Sequence, residues 1–415
     1  MNNLAVAPCR IEPNSYFRYI IVGIAFIVMM IAWGINYSFG IFFIPLLDEF
    51  GWTRAMTSGA FSLGIFLEGL SGMFMGRICD RFGPRLVVSI CGILLGIGYM
   101  LMSQISFIWH LYFFYGVLVG IGLSGTYVPI MVTVSKWFNR RRGLMTGIVS
   151  SGMGAGTLFM APFASWLILI KGWRFSYMIV GMTALIIIIG SARFLRMPAG
   201  MCTGKHFIPA KQPEMIQLPQ ENSMEGLPLK LKTISFWMVC TIFICWGMVT
   251  FAILVHITPF AIEAGFSRIE ATCILTIFGG SVFFAKIISG ILTDRFGSRP
   301  VLAMGIGMLT IGLIMLLTIN KLWVLYLFAV VYAFGYGSGS VIMPNIVAEM
   351  FGLNFQGILL GIVNFCACIG CATGPVVTGW LFDINNNYYA AFITITLLCM
   401  ITLIMVLFIG NRKKE

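Results

Sequence analysis

Charge is what this sequence has least of. Only 10% of its 415 residues are Asp, Glu, Lys or Arg, against roughly 25% in a soluble globular domain. Such a chain cannot cover a water-facing surface, so an ordinary soluble protein is excluded. Acid is scarcer than base: 14 Asp and Glu stand against 26 Lys and Arg, with 3 His. Nucleotide-binding loops, Cys/His sets at zinc spacing and a nucleophile elbow are missing from every accessible segment. Neither an enzyme nor a cofactor is expected. A cleavable leader is missing too, because residues 1–15 are polar, carry Pro8 and Pro13, and hold no short apolar core.

What is present is hydrophobicity, 59% of the chain. Apolar runs long enough to cross a bilayer recur throughout. They are read as spans at 16–45, 54–75, 86–103, 107–135, 143–170 and 173–194, then 236–262, 269–293, 300–318, 322–350, 357–382 and 388–409. Between the two sets lies the longest polar stretch, with Pro198, Pro209, Pro213, Pro219 and Pro228, which reads as a linker.

Assigning the loops alternately to two sides puts twenty cations on one side, from Arg10 to Lys414. Only Arg54, Lys171, Arg174, Arg268 and Lys321 fall on the other. By the positive-inside rule both termini are cytoplasmic. The formal charge of +12 is therefore a matter of topology, and no nucleic-acid partner is expected. Eleven Cys are scattered, mostly within apolar runs, where a thiol packs as a small hydrophobe. Cys368 and Cys371 have C-x-x-C spacing, but in an apolar, glycine-rich helix they read as packing.

The two sets of six spans are copies. Trp33-Gly34 answers to Trp246-Gly247, Pro45 to Pro259, Pro129 to Pro344, and Gly143 and Gly147 to Gly357 and Gly361. Thr53 and Ser267 read as caps of the second and eighth helices, and Ser267 with Glu270 forms a capping box. The strongest repeat is G-R-I-C-D-R-F-G-P-R, from Gly76 to Arg85, against S-G-I-L-T-D-R-F-G-S-R, from Ser289 to Arg299. Six spans per copy give both the same orientation, so the repeats are parallel about an axis along the membrane normal.

Twelve spans in two parallel halves, with G-x-x-x-D-R-x-G-x-R after the second and its counterpart after the eighth, resemble the major facilitator superfamily. The resemblance implies an alternating-access transporter in which the two motif loops form a cytoplasmic latch. Asp80 would accept hydrogen bonds from cationic groups and a nearby helix end, with Arg81 and Arg85 clamping the second and third helices. Asp294, Arg295 and Arg299 would do the same in the second copy. Within the superfamily, W-G-I-N-Y-S-F-G-I-F from Trp33, Gly51-Trp52-Thr53-Arg54, and Lys136-Trp137-Phe138 to Gly143 are similar to the monocarboxylate transporters and oxalate/formate exchangers. In those families an Arg stands where Lys286 does, four residues before Gly290, and binds the substrate carboxylate. Two positions depart. Lys replaces the planar fork by a compact point charge, and Val282 stands where animal relatives carry an acid, so this chain lacks that member of their proton-coupling arrangement.

Counting along the helix at ~1.5 Å per residue puts Lys286 about 12 Å from Asp294, and Glu68 about 18 Å from Asp80, both near the middle of a roughly 30 Å core. A buried ammonium needs an anion. A ligand carboxylate is one candidate and a structural pair with Glu68 the other. Glu68 and His256 are the candidate proton carriers. The resemblance implies that the first, fourth, seventh and tenth spans line the cavity, which nominates Asn36, Tyr37, Tyr115, Tyr332 and Tyr336 as substrate contacts. Gly147, Gly152, Gly154 and Gly156, with Gly357, Gly361, Gly370 and Gly374, suit close, sliding contacts between halves.

The reading is an all-α integral membrane protein with twelve transmembrane helices. It comprises a six-helix half over 1–195, a cytoplasmic linker over 196–232 and a second half over 233–415. The expected function is proton-coupled transport of a small organic monocarboxylate (lactate, pyruvate or acetate-like) across a cytoplasmic membrane. The expected partners are that anion, protons and membrane lipid, and a monomer is compatible. An oxalate/formate-type exchanger is the alternative, but a doubly charged substrate calls for two central cations and the eleventh span has no Lys or Arg. A non-transporting sensor would be expected to add a signalling domain or tail, and the sequence stops at Glu415, just past the last span.

Overall fold

Every apolar run becomes a helix in the computed structural model, because a helix satisfies its own backbone hydrogen bonds without water. The structure describes residues 16–409 except 53, 139, 198–230, 232, 319–320, 354 and 386, so most of the linker and the Thr53 cap lie outside the described residues. Among the described residues there is no strand. In chain order, α1 is Phe17–Tyr37, continued after Ser38 as Phe39–Phe50; α2 is Arg54–Phe82 and α3 is Pro84–Met102. Helix α4 runs Ile108–Trp137. A single 51-residue helical stretch, Arg142–Ala192, breaks at Gly172 (φ 79°, ψ 172°) into α5 (142–171) and α6 (173–192). The second half repeats the pattern with α7 (Ile234–Glu263), α8 (Arg268–Phe296), α9 (Ser298–Leu317), α10 (Leu322–Phe351), α11 (Gln356–Asn385) and α12 (Tyr389–Phe408).

Three local features depart from uniform helix. Ser38 interrupts α1, and its hydroxyl donates to the Gly34 carbonyl at 2.7 Å, the back-bonding that bends helices. The segment Tyr112–Val119 of α4 has wide π-type turns, a feature frequent at functional sites. Helices α2 and α8 run further than the apolar pattern indicates, to Phe82 and Phe296, so Asp80 and Asp294 sit on last turns and not in loops. The connections are single glycines, Gly83 and Gly297, both at φ 85°, a conformation that costs glycine little. Ser267 and Glu270 form the expected capping box at the start of α8.

Helices α1–α6 pack on one another, as do α7–α12, and the two groups meet chiefly where α2 lies on α11 and α5 on α8. Missing side chains permit both contacts. A Cβ on Gly147 would sit 2.6 Å from the Lys286 carbonyl, and one on Gly361 would sit 2.7 Å from Met73 Cα. Gly154 faces Phe283 and Gly357 faces Gly76 across the same boundary, whereas the remaining glycines of these stripes do different work. Gly156 lies against Gly34 of α1, and Gly370 and Gly374 lie against Ile244 and Met248 of α7, so they tighten the inside of each half. Arg196, at the start of the linker, already docks on the first half: its carbonyl accepts the Trp137 indole N–H at 2.7 Å.

Candidate functional site

The site lies where the two groups of helices face each other. Helices α1, α2 and α4 bring Asn36, Tyr37, Glu68 and Tyr127 to it, and α8, α10 and α11 bring Lys286, Tyr336 and Asn364. Together with apolar neighbours they surround a cavity of about 80 Å³.

Lys286 is 1% exposed. Its ammonium donates across to α5, to the Ser150 carbonyl and the Met153 sulfur, both at 3.2 Å. These are neutral acceptors, and an ammonium has three N–H donors. The ion pairs among the described residues are Lys136–Asp80 and Arg174–Glu49, so Lys286 has no counter-ion there and the structural pair with Glu68 does not form. Glu68 is 4% exposed. It lines the same cavity from α2 and accepts no hydrogen bond from the described residues.

The nominated polar groups divide into two layers. Asn36 and Tyr37 line the cavity from α1, and Tyr336 lines it from α10. The hydroxyls of Tyr37 and Tyr336 meet at 3.3 Å, spanning the two halves. Tyr115, on the wide-turn segment of α4, stands behind Asn36 and donates to its side-chain oxygen at 2.8 Å, which leaves the amide NH₂ of Asn36 available to a ligand. Tyr332 is turned away from the cavity because its hydroxyl donates to the Val249 carbonyl at 2.9 Å and its ring packs on Phe328 and Phe278. The i, i+4 spacing of Tyr332 and Tyr336 does not bring both to one site, since the helix face they share is wider than the cavity. His256 lies outside as well. Its Nε2 donates to the Pro375 carbonyl at 3.0 Å, and its Nδ1 is 3.2 Å from the Tyr388 hydroxyl, tying α7 to α11 and the start of α12.

Sequence reasoning missed Trp33, Trp246 and Tyr127. Trp246 stacks on Tyr336 with centroids 5.9 Å apart, and Trp33 lies against Tyr37 and Tyr127 at 5.8 and 6.4 Å. The Tyr127 hydroxyl donates to the Ser340 carbonyl of the other half at 2.7 Å. The Trp-Gly repeat was the available signal, since it marks the same place in both halves; for Tyr127 there was none.

The motif acids join the halves at the end where the cations cluster. Asp80 accepts the Gly357 N–H at 2.9 Å and the Lys136 ammonium at 3.0 Å. Asp294 accepts the Gly143 and Leu144 N–H groups at 2.6 and 2.8 Å. Each carboxylate thus meets the positive end of a helix in the opposite half. Asn345 of α10 adds a bond to the Thr146 hydroxyl of α5 at 2.8 Å. The motif arginines do not clamp neighbouring helices here: Arg81 and Arg295 lie over the rings of Phe82 and Phe296, each 5.2 Å from the centroid. Arg85 and Arg299 make no hydrogen bond or ion pair among the described residues.

The arrangement has relatives. Residues 22–283 and 237–415 match the family model described as Major Facilitator Superfamily. Among curated proteins, the chain is 25% identical over 398 residues to monocarboxylate transporter 11 of Homo sapiens, covering 92% of this chain and 80% of that one. It is 25% identical over 383 residues to monocarboxylate transporter 13 of Bos taurus, covering 92% and 86%. Against monocarboxylate transporter 12 of Xenopus laevis it is 26% identical over 430 residues, covering 98% and 92%. Among solved structures, the major facilitator superfamily transporter FucP in the outward conformation superposes with TM-score 0.72 at 15% identity, covering 95% of this chain and 100% of that one. With twelve helices in two facing groups among the described residues and a family match over nearly its whole length, the chain belongs to the Major Facilitator Superfamily.

Proposed function

We propose that this chain carries a small organic monocarboxylate across the cytoplasmic membrane by alternating access, with Lys286 as the carboxylate anchor. The observation that carries the reading is the buried Lys286 ammonium, held among the described residues by a carbonyl and a thioether at the boundary between the halves. A charge so placed is costly without an anion, and a ligand carboxylate in the cavity supplies one. Asn36 and the Tyr37–Tyr336 hydroxyls are further donors around the same space, with Tyr115 holding Asn36 from behind. Among the described residues no second Lys or Arg lines the cavity, which favours a singly charged substrate over a dicarboxylate. The named monocarboxylate transporters among the relatives support the same class.

The cation-rich end, with both termini and the linker over 196–232, faces the cytoplasm, and the halves over 1–195 and 233–415 rock against each other. Asp80 and Asp294 latch that end shut. Glu68 takes the coupling proton, because it lines the cavity while His256 is committed to Pro375 and Tyr388. A plain carboxylate entering with a proton on Glu68 adds no net charge to the site.

Binding of labelled lactate, pyruvate and acetate to purified protein, and their uptake into proteoliposomes, tests the anchor. Lys286→Ala is expected to abolish saturable binding. Lys286→Arg should keep part of it, since the charge remains but the planar fork is bulkier. Loss of a charge-assisted hydrogen bond corresponds to roughly ten- to a hundredfold in affinity. Equal affinity in wild type and Lys286→Ala sinks the reading.

A further inference from the structure

The central cavity holds an acid that a plain carboxylate leaves to a coupling proton. Glu68 lines it from α2 and Lys286 from α8, both almost fully buried, and they do not pair with each other. By helical rise the backbones at Lys286 and Glu68 lie about 12 and 18 Å from the cation-rich end, about 6 Å apart along the membrane normal. Both line one cavity, so a ligand carboxylate on Lys286 shares that cavity with Glu68. The cavity is walled by aromatic faces. Trp33 packs against Tyr37 and Tyr127 on one side, at 5.8 and 6.4 Å, and Trp246 stacks on Tyr336 on the other, at 5.9 Å. Aromatic faces beside a carboxylate attract a cation.

We propose that the preferred substrate is a short monocarboxylate that also carries a protonated amine, its carboxylate on Lys286 and its ammonium on Glu68 among the rings of Trp33, Tyr37 and Tyr127. This rests on Lys286 as the carboxylate anchor and adds a second pole to that site. Charge balance supplies the physical reason. A plain acid leaves Glu68 to be neutralised by a proton, whereas the ligand's own ammonium fills that place. Uptake of the amino acid then needs no proton gradient, while uptake of the plain acid does. The other titratable groups around Glu68 are the hydroxyls of Tyr37, Tyr115, Tyr127 and Tyr336 and the thiols of Cys368 and Cys371, with Lys286 in the same cavity.

The experiment uses matched pairs that differ only by the amine: alanine and propionate, γ-aminobutyrate and butyrate, phenylalanine and 3-phenylpropionate. Affinities are measured on the full chain in detergent, and uptake in proteoliposomes with and without an inward proton gradient. In each pair that binds, the amino member is expected to bind about tenfold tighter or more in wild type. Its uptake should not respond to the gradient, and that of the plain acid should. Glu68→Gln should shrink the affinity ratio about tenfold or more, and Glu68→Asp should preserve its direction. Preference for the plain acid in every pair, no binding of any amino member, or a ratio unmoved by Glu68→Gln overturns the proposal. Loss of plain-acid binding in Lys286→Ala together with any of these results leaves the carboxylate anchor standing. Plain-acid binding that survives Lys286→Ala unchanged removes the anchor itself.

Discussion

Asp80, on the last turn of α2, accepts the backbone N–H of Gly357, 277 residues further along the chain, at 2.9 Å. The relation is repeated by Asp294, which takes the first N–H groups of α5. The residue preceding α5, Arg141, sits at φ 62° and gives no side-chain cap of its own. Its cap is therefore supplied by the other half of the molecule. A helix cap contributes about 0.5–2 kcal/mol, so separating the halves at this end removes two such contributions at once. The two contacts are helix caps shared between halves, and the proposed latch consists of them.

Asp80→Asn tests it. The amide keeps the shape but loses the attraction for Lys136 and for the α11 N-terminus. We expect initial uptake rates to fall about tenfold, with the protein folded and inserted, and the cation-rich end to spend more time open, read by thiol labelling of an introduced Cys at Thr146. Rates unchanged across a full substrate series would remove the gating role.

His256→Ala separates packing from transport. The imidazole joins the Pro375 carbonyl to the Tyr388 hydroxyl, and losing a buried hydrogen bond costs about 1–3 kcal/mol. The expected result is lower thermal stability with substrate affinity and pH dependence of uptake unmoved. A shifted pH profile at unchanged stability would return His256 to the list of proton carriers.

Glu49 gives a pH signature outside the spans. Its hydrogen bond from Arg174, opposed by burial and reinforced by the Trp173 indole N–H at 2.6 Å, holds its carboxyl below the usual carboxylate range. A lowered folded value means stabilisation that is present above the unfolded value, about 4.3, and is lost as pH falls through the folded one. The Arg174 and Glu49 side chains are 46% and 39% exposed, so the pair contributes at most about 1 kcal/mol. Glu49→Gln should lower the melting temperature slightly at pH 7, and the difference should close below about pH 4. A difference that persists at pH 3 would mean that shape, and not charge, holds this corner.

Orientation is tested by single Cys residues at Arg193 and Lys321, both exposed and at opposite ends of the helices. An impermeant thiol reagent should label the Lys321 position from outside and the Arg193 position only after the membrane is opened. Labelling of both from one face would break the twelve-span arrangement.

The sequence alone determined the number of helices and the duplication, and it set the expected orientation of the loops. Those follow from one-dimensional quantities: run length against bilayer thickness, a repeat at fixed offset, and the uneven placement of Lys and Arg. It also determined that Lys286 is buried, because no helix through those residues leaves it near water. What it could not determine is which face of each helix looks inward at that depth. Tyr115, Tyr332 and His256 were as eligible as Asn36, Tyr37 and Tyr336 until tertiary packing committed the first three to Asn36, to the Val249 carbonyl and to the Pro375 carbonyl. The separation of Lys286 from Glu68, and the crossing of Asp80 and Asp294 to helices of the opposite half, are likewise facts of packing. A contact between residues hundreds of positions apart depends on helix rotation and the angle between halves, neither of which leaves a periodic trace in the chain.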